Sequence, residues 1–252
     1  KDVQLFFDEL TKQKIKPVVF HPFFEQINGS INLPADTETF SASADLTEEI
    51  EFIISLGGDG TLLDTVTLVR NKNISIMGIN FGRLGFLASI GREEVKTAVK
   101  AIAQRTCVID RRTMIHLDAD MPLFGEVPYG LNEFSLHKRD VASMIKIHTY
   151  LNGEFLNTYW ADGLIVETPT GSTGYSLSCN GPIVFPESGS FVITPVAPHN
   201  LNVRPIIVPD NNIISFEIES RSEQIICALD SRREIVSKNV QLAVKKEDFS
   251  IS

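Results

Sequence analysis

The sequence predicts a two-part chain. The first half is an α/β domain of the Rossmann-like, parallel-sheet kind. The second is a mostly antiparallel β domain of the β-sandwich type. Three observations carry this prediction. Short apolar runs alternate with helix-period segments as far as about residue 104, and strand-like runs dominate from there to the end. One apolar run, Ile50 to Leu56, passes through Gly57-Gly58-Asp59-Gly60-Thr61 directly into Leu62-Leu63-Asp64-Thr65-Val66, which reads as strand, glycine-rich turn and helix. The domains are therefore set at 1–104 and 105–252, with the extreme C-terminal tail expected to pack back on the first.

Along the chain, Val3, Phe6, Phe7 and Leu10 share one helical face. Lys16 to Phe20, Ile50 to Leu56 and Ser75 to Asn80 read as short buried strands. Thr61 to Arg70 and Glu93 to Gln104 read as helices, the latter with Val95, Ala98, Val99 and Ile102 on one side. Strands alternating with helices predict a parallel sheet. A βα half ordinarily opens on a strand, so a strand and its phosphate-contacting turn are expected ahead of the first helix. In the second half the predicted strands are Met114 to Asp118, Glu133 to His137, Ile145 to Leu151, Phe155 to Trp160, Gly163 to Thr168, Phe191 to Pro195, Ile213 to Glu219, Ile225 to Asp230 and Val240 to Val244. Leu151-Asn152-Gly153-Glu154 is a type I′ hairpin signal, because Asn-Gly tolerates two positive φ angles.

Composition narrows the function classes. The formal net charge of −9 argues against a nucleic-acid or acidic-membrane surface. It also means that a polyanionic substrate needs local help from backbone N–H groups and magnesium. No apolar run is long enough for a transmembrane helix, and no signal segment opens the chain. Cys107, Cys179 and Cys227 are odd in number and widely spaced, which predicts neither a disulfide framework nor a zinc site and fits reduced thiols in a cytoplasmic protein. His21, His116, His137, His148 and His199 lack metal-ligand spacing, so no protein-held metal is expected. Lys138-Arg139-Asp140 reads as a solvated turn or, alternatively, as a basic pair near Asn132 that attracts a phosphate.

Two clusters carry chemistry. Three glycines in GGDG let the backbone approach a ligand and point N–H groups at it, while the following helix adds its positive end. A carboxylate in such an anion-friendly turn repels phosphate. Asp59 therefore either handles a proton or a metal beside a phosphate, or caps the helix N-terminus. The second cluster is Thr168-Pro169-Thr170-Gly171-Ser172-Thr173-Gly174-Tyr175-Ser176-Leu177-Ser178, preceded by Asp162 and the apolar run Gly163 to Val166. Its hydroxyls and glycines suit a sugar, a phosphate or an amide, and an ordinary surface loop has the same composition.

GGDGT after a strand, then Gly78-Ile79-Asn80, Gly85-Phe86-Leu87-Ala88, Asn132-Glu133, Asp162-Gly163 and TPTGSTGYSLS, resembles the NAD kinase family in content and order over roughly residues 50 to 210. GGDG alone also occurs in lipid, sphingosine and 6-phosphofructo kinases; the second loop with an upstream Asn-Glu pair is far more specific. The resemblance implies transfer of the γ-phosphoryl group of ATP to the 2′-hydroxyl of the adenosine ribose of NAD, giving NADP, in a cleft between the halves. It implies Asp59 as general base, phosphates on Gly57, Gly58, Gly60 and Thr61, and magnesium or another divalent cation carried by the nucleotide. It places Phe86 beside the adenine. It assigns NAD contacts to Asn132, Glu133, Asp162, Thr170, Thr173, Gly174, Tyr175, Ser176, Leu177 and Ser178. It also implies a homo-oligomer, a dimer of dimers whose dinucleotide site draws on a neighbouring subunit.

Departures from the family pattern are Leu87, where many relatives have an aromatic, and Asp230-Ser231-Arg232, where a glycine often follows the aspartate. Two other functions stay open: a related GGDG kinase acting on a lipid or sphingoid base, and a non-catalytic dinucleotide sensor. A lipid kinase needs an apolar groove for acyl chains, whereas the second loop here is polar.

Overall fold

The structure, a computed structural model, describes residues 2–82, 85–141 and 143–252. The chain divides into two compact units, Lys1–Asp110 with Ser252, and Arg111–Ile251.

The first unit runs α1 (Asp2–Lys12), β1 (Val18–Phe20), α2 (His21–Ile27), β2 (Glu38–Phe40), β3 (Phe52–Leu56), α3 (Asp59–Val69), β4 (Ser75–Asn80), β5 (Ile90–Gly91) and α4 (Val95–Gln104). Among the described residues all its strand pairs are parallel, as the alternation of strands and helices predicts. They form two short sheets, β1-β2 and β3-β4-β5. Phe6, Phe7 and Leu10 of α1 pack with Val95, Ala98 and Val99 of α4 and with Ile79 in one apolar cluster. The spacing of these residues is what made both helices legible. Helix α2 escaped the sequence reading because only Ile27 of it is buried, so it shows no apolar period; Pro22 in its first turn supplies a preset φ. The C-terminal residue closes on this unit, Ser252 accepting the Ile76 N–H at 2.8 Å.

The second unit is almost all antiparallel β: β6 (Ile115–Ala119), β7 (Tyr129–Gly130), β8 (Glu133–Lys138), β9 (Ile145–Leu151), β10 (Glu154–Ala161), β11 (Gly163–Glu167), α5 (Tyr175–Ser178), β12 (Ser190–Val196), β13 (Ile206–Pro209), β14 (Ile214–Glu219), β15 (Gln224–Leu229), β16 (Arg232–Ser237) and β17 (Leu242–Lys246). Two six-stranded sheets result, ordered β10-β9-β14-β17-β6-β7 and β13-β12-β11-β8-β15-β16. One core joins them: Phe134 from the second sheet meets Phe216 from the first at 5.8 Å between ring centroids. Asn152 and Gly153 between β9 and β10 have φ of 52° and 84°, the pair of positive angles that a type I′ turn requires. Strand β16 was not anticipated. It is an edge strand with charged Arg232, Arg233 and Glu234 and only Val236 buried, so it carries no apolar run.

Strand β11 and strand β12 are buried along their whole length, and β8 over its centre. Their ends hold the second cluster described below.

Candidate active site

In the first unit the glycine-rich turn leaves β3 and enters α3. The helix starts at Asp59, two residues before the predicted start, with Gly58 as its N-cap. Gly57 is packed: its N–H donates to Ile79 O at 3.0 Å, and a Cβ there would lie 2.3 Å from Thr61 Oγ1. Gly58 and Gly60 differ, since a Cβ at either would meet nothing within 4 Å. Folding does not require glycine at those two positions on steric grounds, and the space above them is open.

Asp59 does not cap its own helix, for α3 has no side-chain cap. Its carboxylate reaches instead to the segment after β4. Oδ2 accepts the Phe86 N–H at 3.0 Å, and Oδ1 accepts those of Leu87 at 3.1 Å and Ala88 at 3.0 Å. Gly85 permits this approach, because a Cβ there would lie 2.2 Å from Oδ1. A carboxylate offers about four acceptor positions, so one remains on Oδ2. Asn80 braces the same segment through Gly82 N–H to Oδ1 at 2.8 Å. The Phe86 ring is 67 % exposed.

In the second unit, the Thr168–Ser178 loop folds over the end of β8. Thr168 N–H donates to Asn132 O at 2.8 Å and Thr168 Oγ1 to Leu131 O at 2.6 Å. Gly171 lies so close that a Cβ would be 2.2 Å from Asn132 O. Ser172 Oγ donates to Pro169 O at 2.6 Å and accepts the Val184 N–H at 3.0 Å. These bonds place Thr170 and Gly174 beside Asn132 and Glu133, and a Cβ on Gly174 would lie 3.5 Å from Glu133 Oε2.

The same place gathers three carboxyls, Glu167 buried and Glu133 and Asp230 half-buried. Glu133 and Glu167 face each other in the β8–β11 register. Asp230 accepts the N–H groups of Leu131 (2.8 Å), Asn132 (2.8 Å) and Glu133 (3.1 Å). Burial, helped by the Asp230 charge, pushes Glu133 up to about 8. Burial also pushes Glu167 up to about 8, with the Glu133 charge adding to it and the Ser176 and Thr194 hydroxyls opposing. Both acids are therefore largely protonated at neutral pH. Asn132 Oδ1, Glu133 Oε2 and Glu167 Oε2 are buried and have no hydrogen-bond partner among the described residues. Buried polar atoms ordinarily have a partner, so Asn132 Oδ1 calls for a donor, and the two carboxyl oxygens for a donor or an acceptor, from a ligand or from water.

Asp162 stands at the other end of β11, its Oδ1 2.6 Å from Lys138 Nζ. His137 beside it touches the Tyr175 ring at 5.9 Å between centroids, and burial lowers the His137 pKa. Tyr175, Leu177 and Ser178 are exposed on α5, whereas Ser176 is buried beneath them.

The structure thus brings Asn132, Glu133, Thr170, Gly174 and the α5 residues into one neighbourhood of the second unit. Asp59, the glycines and Phe86 form a separate one in the first. The sequence reading missed Lys138 as the partner of Asp162, and it missed Glu167 and the bracing role of Asp230. Asp230 bonds residues 97 to 99 positions away, which leaves no local signal. Glu167 closes the Gly163 to Val166 run, and a carboxyl at the end of an all-apolar strand was the available clue. Among the described residues no group of three or more His, Cys, Asp or Glu is placed to hold a metal ion. Among them, too, no helix is long and apolar enough to cross a membrane.

Residues 10–107 match the ATP-NAD kinase N-terminal domain family and residues 131–249 the ATP-NAD kinase C-terminal domain family. The chain is 51% identical over 243 residues to an NAD kinase of Cytophaga hutchinsonii, covering 96% of this chain and 83% of that one. An NAD kinase of Bacteroides fragilis is 44% identical over 236 residues, covering 92% and 78%. Among solved structures, yeast NADH kinase complexed with NADH superposes with a TM-score of 0.88 at 23% identity, over 99% of this chain and 75% of that one. An NAD kinase from Archaeoglobus fulgidus in complex with ATP gives 0.73 at 25% identity, over 94% and 91%. These relatives do not favour a lipid or sphingoid-base kinase.

Proposed function

Because the chain belongs to the ATP-NAD kinase family and is an enzyme that phosphorylates NAD with ATP, we propose how its residues divide the reaction. The open backbone at Gly58 and Gly60, with Gly57, Thr61 and the positive end of α3, receives the nucleotide phosphates. Asn132 and Glu133 receive the adenosine end of NAD. The observation that carries this second assignment is the pair of buried acceptors, Asn132 Oδ1 and Glu133 Oε2, that lack a partner among the described residues. An adenine amino group donates to the Asn132 amide oxygen, and a ribose hydroxyl, both donor and acceptor, pairs with a Glu133 carboxyl in either protonation state. Thr170, Thr173, Gly174, Tyr175 and Ser178 line the dinucleotide from the second loop, Leu177 flanks it, and Asp162 contacts it beside Tyr175. Ser176 is buried and acts from behind. Phe86, with its exposed ring, flanks the adenine.

Asp59 is the general base. Its free acceptor position on Oδ2 takes the proton of the ribose 2′-hydroxyl as that oxygen bonds to the γ-phosphorus. The bond from γ-phosphorus to the β,γ-bridging oxygen breaks, and ADP leaves with that electron pair. The bonds from Phe86, Leu87 and Ala88 hold the carboxylate still while it does this. Positioning and charge neutralisation supply most of the catalysis in phosphoryl transfer. Magnesium or another divalent cation enters as part of the substrate, MgATP, and shields the phosphates of an enzyme whose net charge is −9.

The protein is proposed to be a cytoplasmic homo-oligomer, a dimer of dimers. The free thiols of Cys107, Cys179 and Cys227 suit a reducing compartment. Strand β10, at a sheet edge, exposes Phe155 and Trp160, which suits a subunit contact. Incubation with MgATP and NAD, followed by detection of NADP, tests the activity, with NADH and polyphosphate as parallel substrates and light scattering for assembly. Absence of NADP formation overturns the assignment, and a fully active monomer overturns the oligomer.

A further inference from the structure

Beneath the second loop lies a buried acid that the proposed chemistry does not use. Glu167 ends β11 with its side chain fully buried. Its Oε1 accepts the Ser176 hydroxyl, and Ser176 Oγ also lies 3.0 Å from Thr194 Oγ1 of β12. The Ser176 carbonyl accepts the N–H groups of Cys179 at 2.8 Å and Gly181 at 2.9 Å. Gly181 has room for this arrangement only as glycine, since a Cβ would lie 1.9 Å from Ser176 Oγ. Ser176 is thus fixed by its hydroxyl and by its carbonyl. Its fixed inward direction leaves Tyr175, Leu177 and Ser178 facing out from a helix of only four residues. So short a helix has little stability of its own, and the buried anchor is what holds it.

We propose that Glu167 is a positioning residue for NAD: through the Ser176 hydroxyl it fixes the turn that presents Tyr175 and Ser178, and it sits opposite the Glu133 carboxyl that binds the ribose. The proposal rests on the assignment of the second loop to the dinucleotide. A neutral carboxyl suits the place. Glu133 faces Glu167 from β8 with Asp230 behind it, while Cys179 and Tyr175 lie on the loop side and only hydroxyls come from Ser176 and Thr194. The Ser176 and Thr194 hydroxyls favour the charged form of Glu167 while burial and the Glu133 charge oppose it, so the hydroxyl bond that holds the loop is kept in either protonation state.

Steady-state kinetics of the full chain test this with Glu167→Gln, Glu167→Ala, Ser176→Ala and Tyr175→Ala. Loss of one buried hydrogen bond to the anchor should raise KM for NAD about five- to tenfold in Glu167→Ala and Ser176→Ala, with KM for ATP and kcat little changed. Glu167→Gln, which keeps a neutral acceptor for the Ser176 hydroxyl, should restore most of the affinity. If Glu167→Ala does not fold, Ser176→Ala carries the test, with Glu167→Gln as the conservative rescue. Raised KM in Tyr175→Ala with parental KM in Glu167→Ala or Ser176→Ala overturns this proposal alone. Parental KM in Tyr175→Ala overturns the loop assignment and this proposal with it.

Discussion

The Asp59 carboxylate and the Ala88 N–H are joined at 3.0 Å across 29 residues, and Leu87 and Phe86 donate to the same carboxylate. The residue proposed as the base is therefore also the clasp of the segment that follows β4. That dual role changes what its replacement should do.

Asp59→Asn offers one carbonyl oxygen with two acceptor positions where three N–H groups converge. At least one donor is left facing an amide NH2, at a cost of about 1–3 kcal/mol. Loss of the base should also lower turnover by roughly 10²–10⁴. A helix-capping Asp predicts neither effect, since Asn caps as well. Turnover and melting temperature on this one variant separate the cases: parental turnover removes Asp59 from the proton transfer, and a parental melting temperature removes the clasp.

Gly58 and Gly60 give the reverse pattern. Neither has a positive φ, and a Cβ at either meets no protein atom within 4 Å. Gly60 lies within α3, where alanine should stabilise by about 0.5–1 kcal/mol. Gly60→Ala should therefore melt no lower than the parent, and Gly58→Ala, at an N-cap where glycine is preferred to alanine, only slightly lower. If phosphates lie on this backbone, the added methyl should nonetheless weaken ATP, raising its KM by about tenfold, the equivalent of roughly 1.4 kcal/mol. An unchanged KM for ATP in both variants would remove the phosphates from this turn.

The halves of the chain differed in how much their sequence disclosed. Strands β9 and β4 were legible to the residue because each is a bounded apolar or alternating run. The Asn152-Gly153 turn was legible because its chemistry is local. What was not legible depends on partners far along the chain. Asp59 reads as a proton or metal handler or as a helix cap, and its clasping role shows only when Gly85 is seen to admit the Phe86–Ala88 backbone against it. Lys138 reads as a solvated turn until β8 and β11 pair and set it against Asp162. Asp230 drew notice only for the glycine that does not follow it, yet it binds three successive N–H groups around Asn132. The residues of the second loop were identified by composition and resemblance, but the burial of Ser176 beside exposed neighbours needed the fold.

Glu133 and Glu167 make a pH prediction whose sign is fixed. Both are raised from an ordinary 4.5 to about 8, chiefly by burial. In the unfolded chain both ionise near the ordinary value, so the folded state holds more protons between the two values. Their contribution to stability is complete below about 4.5, declines as pH rises, and is gone above about 8. Thermal melting across that window should show a falling branch, and Glu133→Gln with Glu167→Gln should flatten it. An equally steep branch in the double variant would assign the effect to other groups.

Tyr175 and Asp162 separate binding from stability. Tyr175 is 44% exposed and its ring meets His137 in a tilted contact, so Tyr175→Ala should melt near the parent. Asp162→Ala should melt lower, because Lys138 Nζ loses a partner at 2.6 Å while its side chain is only 20% exposed. For NAD the two should behave alike. Removing a hydrogen bond that involves a charged group costs about 1.5–3 kcal/mol, which is roughly ten- to a hundredfold in affinity, and the lost phenol contact should approach the lower end. KM for ATP should stay put in both, since the phosphate turn lies in the other unit. Isothermal titration of NAD into each variant, alongside the melting curves, decides it. If both bind NAD as tightly as the parent, the dinucleotide does not lie on the second loop.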